Sequence, residues 1–191
     1  DECYSEIYAS EAPAGGLQVA AKTPSRFKNI VVFNSLSKRS NLPGLRSGFC
    51  AGDDEFMESF AEIRNLVAPQ VPGPTQHASA AIWDEEQHVA ANRIAYRQKY
   101  DVADAVLGSR YGYRRPAGGF FLWLDLSQFG GGEAATVTLW KRCGVKVIPG
   151  AYLAQADQTG VNPGNDYVRV ALVETPGLIR EALERIVKVL A

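Results

Sequence analysis

Between Asn34 and Phe49 the chain reads NSLSKRSNLPGLRSGF, which gathers four serines, a lysine and two arginines around a Pro-Gly turn. The hydroxyls of Ser35 and Ser37 and the guanidinium of Arg46 suit a phosphate monoester, because arginine grips two oxygens at once. An amine held beside them and partly desolvated, that of Lys38, can shed its proton and attack a carbonyl. A solvated loop with ordinary surface cations fits the same residues, and spacing alone leaves both readings open. Two further groups stand out. Asp1 and Tyr4 in the opening DECY are an acid and a phenol near the chain's start, equally consistent with exposed terminal residues. Arg169 is centred in the apolar run YVRVAL, where a cation is costly unless paired, facing a wet cleft, or snorkelling from an edge strand.

These residues need elements to hold them. Residues 30 to 36 are nearly continuous in apolar character and predict a parallel strand covered on both faces. Its carboxyl end, where ligands collect in open α/β sheets, would carry Ser35, Ser37 and Lys38. If the strand persists, the two serines share a face and Lys38 points the other way. Residues 47 to 52 read as a second strand, followed by a helix capped by Asp53 or Asp54 with Phe56, Phe60, Ile63 and Val67 on one face. The segment APQVPGPT, 68 to 75, reads as a linker. A long helix over about 76 to 107 repeats Val89, Tyr96, Tyr100, Ala103 and Leu107 at helical spacing and stops at Gly108. Beyond it come strand 120–126, a plain glycine connection FGGGEA, helix 133–143, and strands 145–148 and 167–173. In the last strand Val168, Val170 and Leu172 share one face, leaving Arg169 on the other with Ala171 and Val173. A closing helix begins at Thr175-Pro176 and buries Ile179, Ala182, Ile186 and Leu190. The expected fold class is α/β: residues 1–72 as part of a larger sheet domain, 73–109 as linker and interdomain helix, and 110–191 as a small α+β domain.

Composition narrows the function classes. Twenty cations balance twenty-one anions, which supplies no electrostatic reason to bind nucleic acid or an acidic membrane. No apolar run approaches the roughly 18 residues that a bilayer requires. Three scattered cysteines and two distant histidines, His77 and His88, form no metal-ligand spacing, so no metal site is expected. A reducing, cytoplasmic setting is the resulting expectation. The chain opens on Asp1 without methionine and is expected to be a piece of a longer protein.

Taken as a set, the residues from Ser35 to Gly48 (SLSKRSNLPGLRSG) resemble the lysine signature of the class I/II aminotransferases, fold-type I enzymes that use pyridoxal 5′-phosphate (PLP). Ser47 departs mildly from the family's usual aliphatic residue. Asp1-Glu2-Cys3-Tyr4 is similar to the family's D-E-x-Y motif, and PAGGFFLW (116–123), VIPG (147–150) and YVRVAL (167–172) match runs of its small domain. The resemblance covers the chain in order and implies the C-terminal part of a fold-type I transferase: the end of a large, mostly parallel-sheet domain, a linking helix and an α+β small domain. It implies that Lys38 is the covalent anchor of PLP and the catalytic base. Ser35, Ser37 and Arg46 then hold its phosphate, Asp1 keeps the pyridine nitrogen protonated, Tyr4 bonds the ring's phenolic oxygen, and Gly48 lets the next strand approach. Arg169 is implied to clamp the substrate's α-carboxylate.

The implied reaction is transamination between an amino-acid donor and a 2-oxo-acid acceptor, by a homodimer. Within the family, the runs NSLSKRSNLPGLRSGFCAGD and GVNPGNDYVRVALVE are most similar to the bacterial N-succinyl-L,L-diaminopimelate aminotransferases of lysine biosynthesis, which use the glutamate/2-oxoglutarate pair. Aspartate, aromatic and broad-specificity aminotransferases, a β-lyase, and the aminotransferase-like sensor domain of a transcription regulator are the other readings. The resemblance also places the family's phosphate-cradling helix and ring-stacking aromatic ahead of Asp1, so the isolated chain is expected to be inactive.

Overall fold

The computed structural model describes residues 1–191. In chain order the elements are α1 (Gly16–Ala20), β1 (Val31–Ser35), the single turn α2 (Leu36–Arg39), β2 (Gly48–Gly52), α3 (Asp54–Val67), α4 (Gly73–Asp84), α5 (Gln87–Leu107), β3 (Phe121–Asp125), α6 (Gly131–Cys143), β4 (Ile148–Pro149), β5 (Tyr167–Ala171) and α7 (Pro176–Val189). They divide into two compact units. The first comprises Asp1–Ile94 with Ala117–Gly119, the second Ala95–Pro116 with Phe120–Ala191. No helix is long and apolar enough to cross a membrane.

In the first unit β1 pairs with β2, and the ladder is antiparallel, with Ser35 opposite Gly48 and Val31 opposite Gly52. The residue pattern predicted a parallel strand with both faces covered. Here the chain doubles back through α2 and the turn Pro43–Leu45, a connection that returns it alongside β1 head to tail. Val32 is buried but Phe33 is 43% exposed, so only one face of β1 is covered within the unit. The opening DECY leads into a turn: Ser5 N donates to Glu2 O and Ile7 N to Tyr4 O. It touches β1 through Glu2 N, which donates to Phe33 O at 2.7 Å.

α3 begins where expected. Asp53 caps it by accepting from Phe56 N at 3.1 Å, and the N–H groups of Asn29 and Phe56 hold the Asp53 carboxyl below its usual range. On the apolar face of α3, Phe56, Ile63 and Val67 are all exposed. The expected linker ends early, because Gly73 and Pro74 already form the first turn of α4, proline being at home there. The single long helix predicted over 76–107 is two, broken at Glu85 and Glu86.

The second unit holds the larger core. β5 is the central strand of the sheet β3-β5-β4, with both neighbours antiparallel. Leu122, Leu124, Val168, Val170 and Leu172 face inward against Tyr100, Ala103 and Leu107 of α5, Leu139 of α6, and Ile179, Leu183 and Ile186 of α7. All five α5 residues picked out by helical spacing are buried, and Gly108 stops the helix with φ +56°. In α7, Thr175 caps the helix and Pro176 occupies its first turn, while Leu183 rather than the half-buried Ala182 completes the core face. Tyr113 Oη donates to Asp104 at 2.6 Å, and Arg115 bridges Asp101 and Asp104 beneath the sheet's start. The run FGGGEA is not a plain connection. α6 starts at Gly131, and a side-chain carbon at Gly132 would lie 2.1 Å from the carbonyl oxygen of Tyr167, so glycine is what lets the helix seat on β5.

Candidate active site

Ser35 ends β1 in extended conformation and caps α2: its Oγ accepts from Ser37 N at 3.4 Å. The strand therefore does not persist to Lys38. Ser37 and Lys38 belong to a helical turn, and the alternating-face expectation for Ser35, Ser37 and Lys38 fails for that reason. The turn is pinned from below by Leu36, fully buried, whose N–H donates to Ser47 O at 3.2 Å. Ser37 and Lys38 are half-buried on it.

The structure brings the opening stretch to the same place. Asp1 Oδ1 accepts from Cys3 N at 3.0 Å, and Cys3 Sγ lies 3.3 Å from Ser35 Oγ. Tyr4, the next residue, is 40% exposed. On the other side of the turn, Gly48 sits opposite Ser35, and a β-carbon there would meet Asn34 O at 2.6 Å and Ser35 Cβ at 3.0 Å. The absent side chain is what lets β2 close on Ser35, as the resemblance implied.

Arg46 is exposed and left-handed, φ +51°, at the end of the turn Pro43–Leu45, with Nη1 donating to Pro43 O at 2.8 Å. A left-handed arginine costs on the order of 1 kcal/mol relative to glycine, so this position retains a guanidinium at the expense of backbone strain. Asp1, Tyr4, Ser35, Ser37, Lys38 and Arg46 thus all lie in the first unit, about the end of β1 and the turn that follows. An acid, a phenol, two hydroxyls, an amine and a guanidinium are the chemical types that a phosphorylated, ring-nitrogen-bearing aldehyde would call on.

Arg169 belongs to the second unit. It stands at the middle of the central strand, between Trp123 of β3 and Ile148 of β4. The edge-strand reading therefore fails. Its guanidinium carbon lies 4.3 Å over the Phe121 ring, and its Nε is buried without a hydrogen-bond partner. A buried, unsatisfied donor in a native fold calls for a ligand or a cost. Trp123 stacks on Tyr167 at 5.5 Å beside it and remains 42% exposed, so this sheet face carries an aromatic shelf with one cation.

Residue patterns missed the framework behind Lys38. Arg39 is only 4% exposed and is held by the end of α4, while Asn92 Nδ2 donates to Lys38 O at 3.4 Å and His88 Nε2 lies 2.8 Å from Ser40 Oγ. The legible signal was the His88/Asn92 pair, four residues apart on one helix face.

Solved structures share this fold. An aminotransferase from Neisseria meningitidis superposes with TM-score 0.92 at 41% identity, over 98% of this chain and 48% of that one. The aminotransferase AspB from Helicobacter pylori gives 0.86 at 34% identity, over 97% and 47%. The α/β architecture is that of the C-terminal part of the fold-type I aminotransferases. Residues 1–186 match the family "Aminotransferase class I and II", and the chain belongs to it. Curated relatives include the 4-dedimethylamino-4-oxo-anhydrotetracycline transaminase of Streptomyces rimosus, 32% identical over 97% of this chain and 49% of the relative. They also include an LL-diaminopimelate aminotransferase of Nitratidesulfovibrio vulgaris, 28% identical over 97% and 46%. The chain spans about half the length of the curated relatives it matches. The class to which it belongs depends on pyridoxal 5′-phosphate.

Proposed function

We propose that the whole protein is a PLP-dependent aminotransferase in which Lys38 is the anchor and the base. The observation that supports this reading is the 3.3 Å contact of Cys3 Sγ with Ser35 Oγ, which brings the DECY turn, with Asp1 two residues away, to the residue that caps the lysine's turn. Pyridoxal phosphate, when bound, supplies an aldehyde that captures amines and a ring that takes up the electron pair released at the substrate's Cα. Ser35, Ser37 and Arg46 would hold the phosphate, Asp1 would hold a proton on the ring nitrogen, and Tyr4 would donate to the phenolic oxygen. The ε-amine of Lys38 would be the base that takes the proton from the substrate's Cα. Arg169 takes the α-carboxylate on its buried, unpaired Nε side.

The strain at Arg46 yields a separable test. Arg46→Gly relieves the left-handed backbone, so thermal stability of the cofactor-free protein stays level or rises, while PLP affinity falls by about 10- to 100-fold with the loss of a charge-assisted phosphate contact. Equal affinity in the variant, measured by fluorescence titration with PLP, would remove Arg46 from the phosphate site.

For the donor, the proposal is N-succinyl-L,L-diaminopimelate with glutamate/2-oxoglutarate as the exchanging pair, acting in lysine biosynthesis. It is supported by the runs NSLSKRSNLPGLRSGFCAGD and GVNPGNDYVRVALVE, while the relatives named for LL-diaminopimelate support the diaminopimelate skeleton and not the succinyl group. A homodimer in the cytoplasm, with residues 1–72 in the cofactor-holding domain and 110–191 in the small one, completes the reading. A donor panel on the full-length enzyme tests it, with succinylated and free diaminopimelate, aspartate and aromatic amino acids compared by kcat/KM. A preference of at least about 100-fold for the succinylated donor is expected; equal rates across the panel would reject the donor and retain only the reaction.

A further inference from the structure

We infer that Arg39 is a positioning residue that locks the turn carrying Lys38 onto the end of a neighbouring helix. The inference rests on the reading of Lys38 as the reactive amine, and it goes beyond it. α2 has only four residues. A single helical turn fixes several dihedrals for one hydrogen bond and does not hold itself, so the place of Lys38 is set by whatever grips the turn from outside.

Three grips are present in the first unit. On the strand side, Leu36 is fully buried and bonded through its N–H to Ser47 O. At the lysine itself, Asn92 reaches the Lys38 carbonyl, and Asn92 Oδ1 in turn accepts from Asn41 at 2.9 Å. On the far side is Arg39, the one buried cation of the unit. Its guanidinium donates to Ile82 O at 3.1 Å and Trp83 O at 3.3 Å, pairs with the Glu86 carboxylate, and lies 4.8 Å over the Trp83 ring.

The partners explain why a charge is tolerated there. Ile82 and Trp83 are in the last turn of α4, where carbonyls run short of helical donors (Ile82 O keeps only a long 3.4 Å bond from Glu85 N) and carry the negative end of the helix dipole. Glu86 lies in the break between α4 and α5. The guanidinium therefore closes one helix end, neutralises one carboxylate and ties both to the residue next to Lys38. Its planar fork reaches these acceptors from two separate nitrogens while lying over the Trp83 ring, a geometry that the point-like ammonium of lysine does not reproduce. The expected consequence is a fixed starting point for the Lys38 ε-amine, and misplacement of a catalytic group by about 1 Å is enough to cost up to about 100-fold. Arg39 itself need touch neither substrate nor cofactor.

The test uses the full-length protein with Arg39→Met and Arg39→Lys. Hydrogen exchange of the cofactor-free form is followed over 36–42, with β3–β5 as reference, alongside steady-state kinetics and borohydride trapping of the PLP-loaded form. Arg39→Met should speed exchange over 36–42 by at least about 10-fold with the reference unchanged, and lower kcat by about 10- to 100-fold with KM within about twofold. Arg39→Lys should fall between wild type and Arg39→Met on both readouts, which keeps the question open to measurement if the methionine variant does not fold. Wild-type exchange and kcat in Arg39→Lys or Arg39→Met, with the adduct still on Lys38, would overturn the role of Arg39 alone. An adduct on another lysine would overturn the reading of Lys38 and this role with it.

Discussion

Alanine at position 38 should lower transamination by the full-length protein at least about 10⁴-fold while PLP still binds noncovalently. The magnitude follows from one amine doing two tasks. It must take the proton from Cα and deliver it elsewhere on the same conjugated framework, and a positioned acid–base group is worth about 10² to 10⁴ at each transfer. Binding survives because the phosphate and ring contacts assigned to Ser35, Ser37, Arg46, Asp1 and Tyr4 do not pass through Lys38. The Ser35 cap on α2 uses backbone N–H of Ser37, which an alanine at 38 leaves intact. Single-turnover measurement of each half-reaction is the check. Loss confined to one half-reaction, or full-stoichiometry borohydride trapping in Lys38→Ala, contradicts the assignment.

Replacement of Arg169 by leucine lowers kcat/KM for amino-acid donors by about 10² to 10³, as expected for a charge pair worth about 3–4 kcal/mol in a partly desolvated setting. Arg169→Lys recovers little, because a point charge cannot grip a carboxylate with two parallel bonds. An amine donor without a carboxylate should react equally with wild type and Arg169→Leu, which separates a binding role from general damage. Stability should not fall. The Nε of Arg169 is already buried and unpaired, and leucine removes that burden from the centre of β5. A carboxylate-free donor that loses as much as glutamate would show that Arg169 is structural.

How much of this was legible depended on whether a feature is local. α7 was readable in full outline, since Thr175, Pro176 and the spacing of Ile179 and Ile186 state a cap, a first turn and one face without reference to other elements. The alternation of Val168, Arg169 and Val170 likewise gave the two faces of β5. The apolar period of α3 was equally plain, yet Phe56, Ile63 and Val67 stand exposed, because a period says which face is apolar and not what covers it. The break between α4 and α5 was invisible: no proline or glycine marks Glu85-Glu86, and the helix end is closed by Arg39 from far earlier in the chain. Gly132 looked like slack in a loop because its reason is the Tyr167 carbonyl across space. For the site, residue types and order singled out Ser35, Lys38 and Arg46 as candidates, whereas the helical turn that carries the lysine depends on burial of Leu36 and on partners in α4 and α5.

The most direct measurement is reduction of the PLP-loaded full-length protein with borohydride, followed by digestion and mass mapping of the pyridoxyl group. The account predicts one adduct per chain, on the peptide containing Lys38. An adduct on Lys22, Lys28, Lys99 or any other lysine would contradict it.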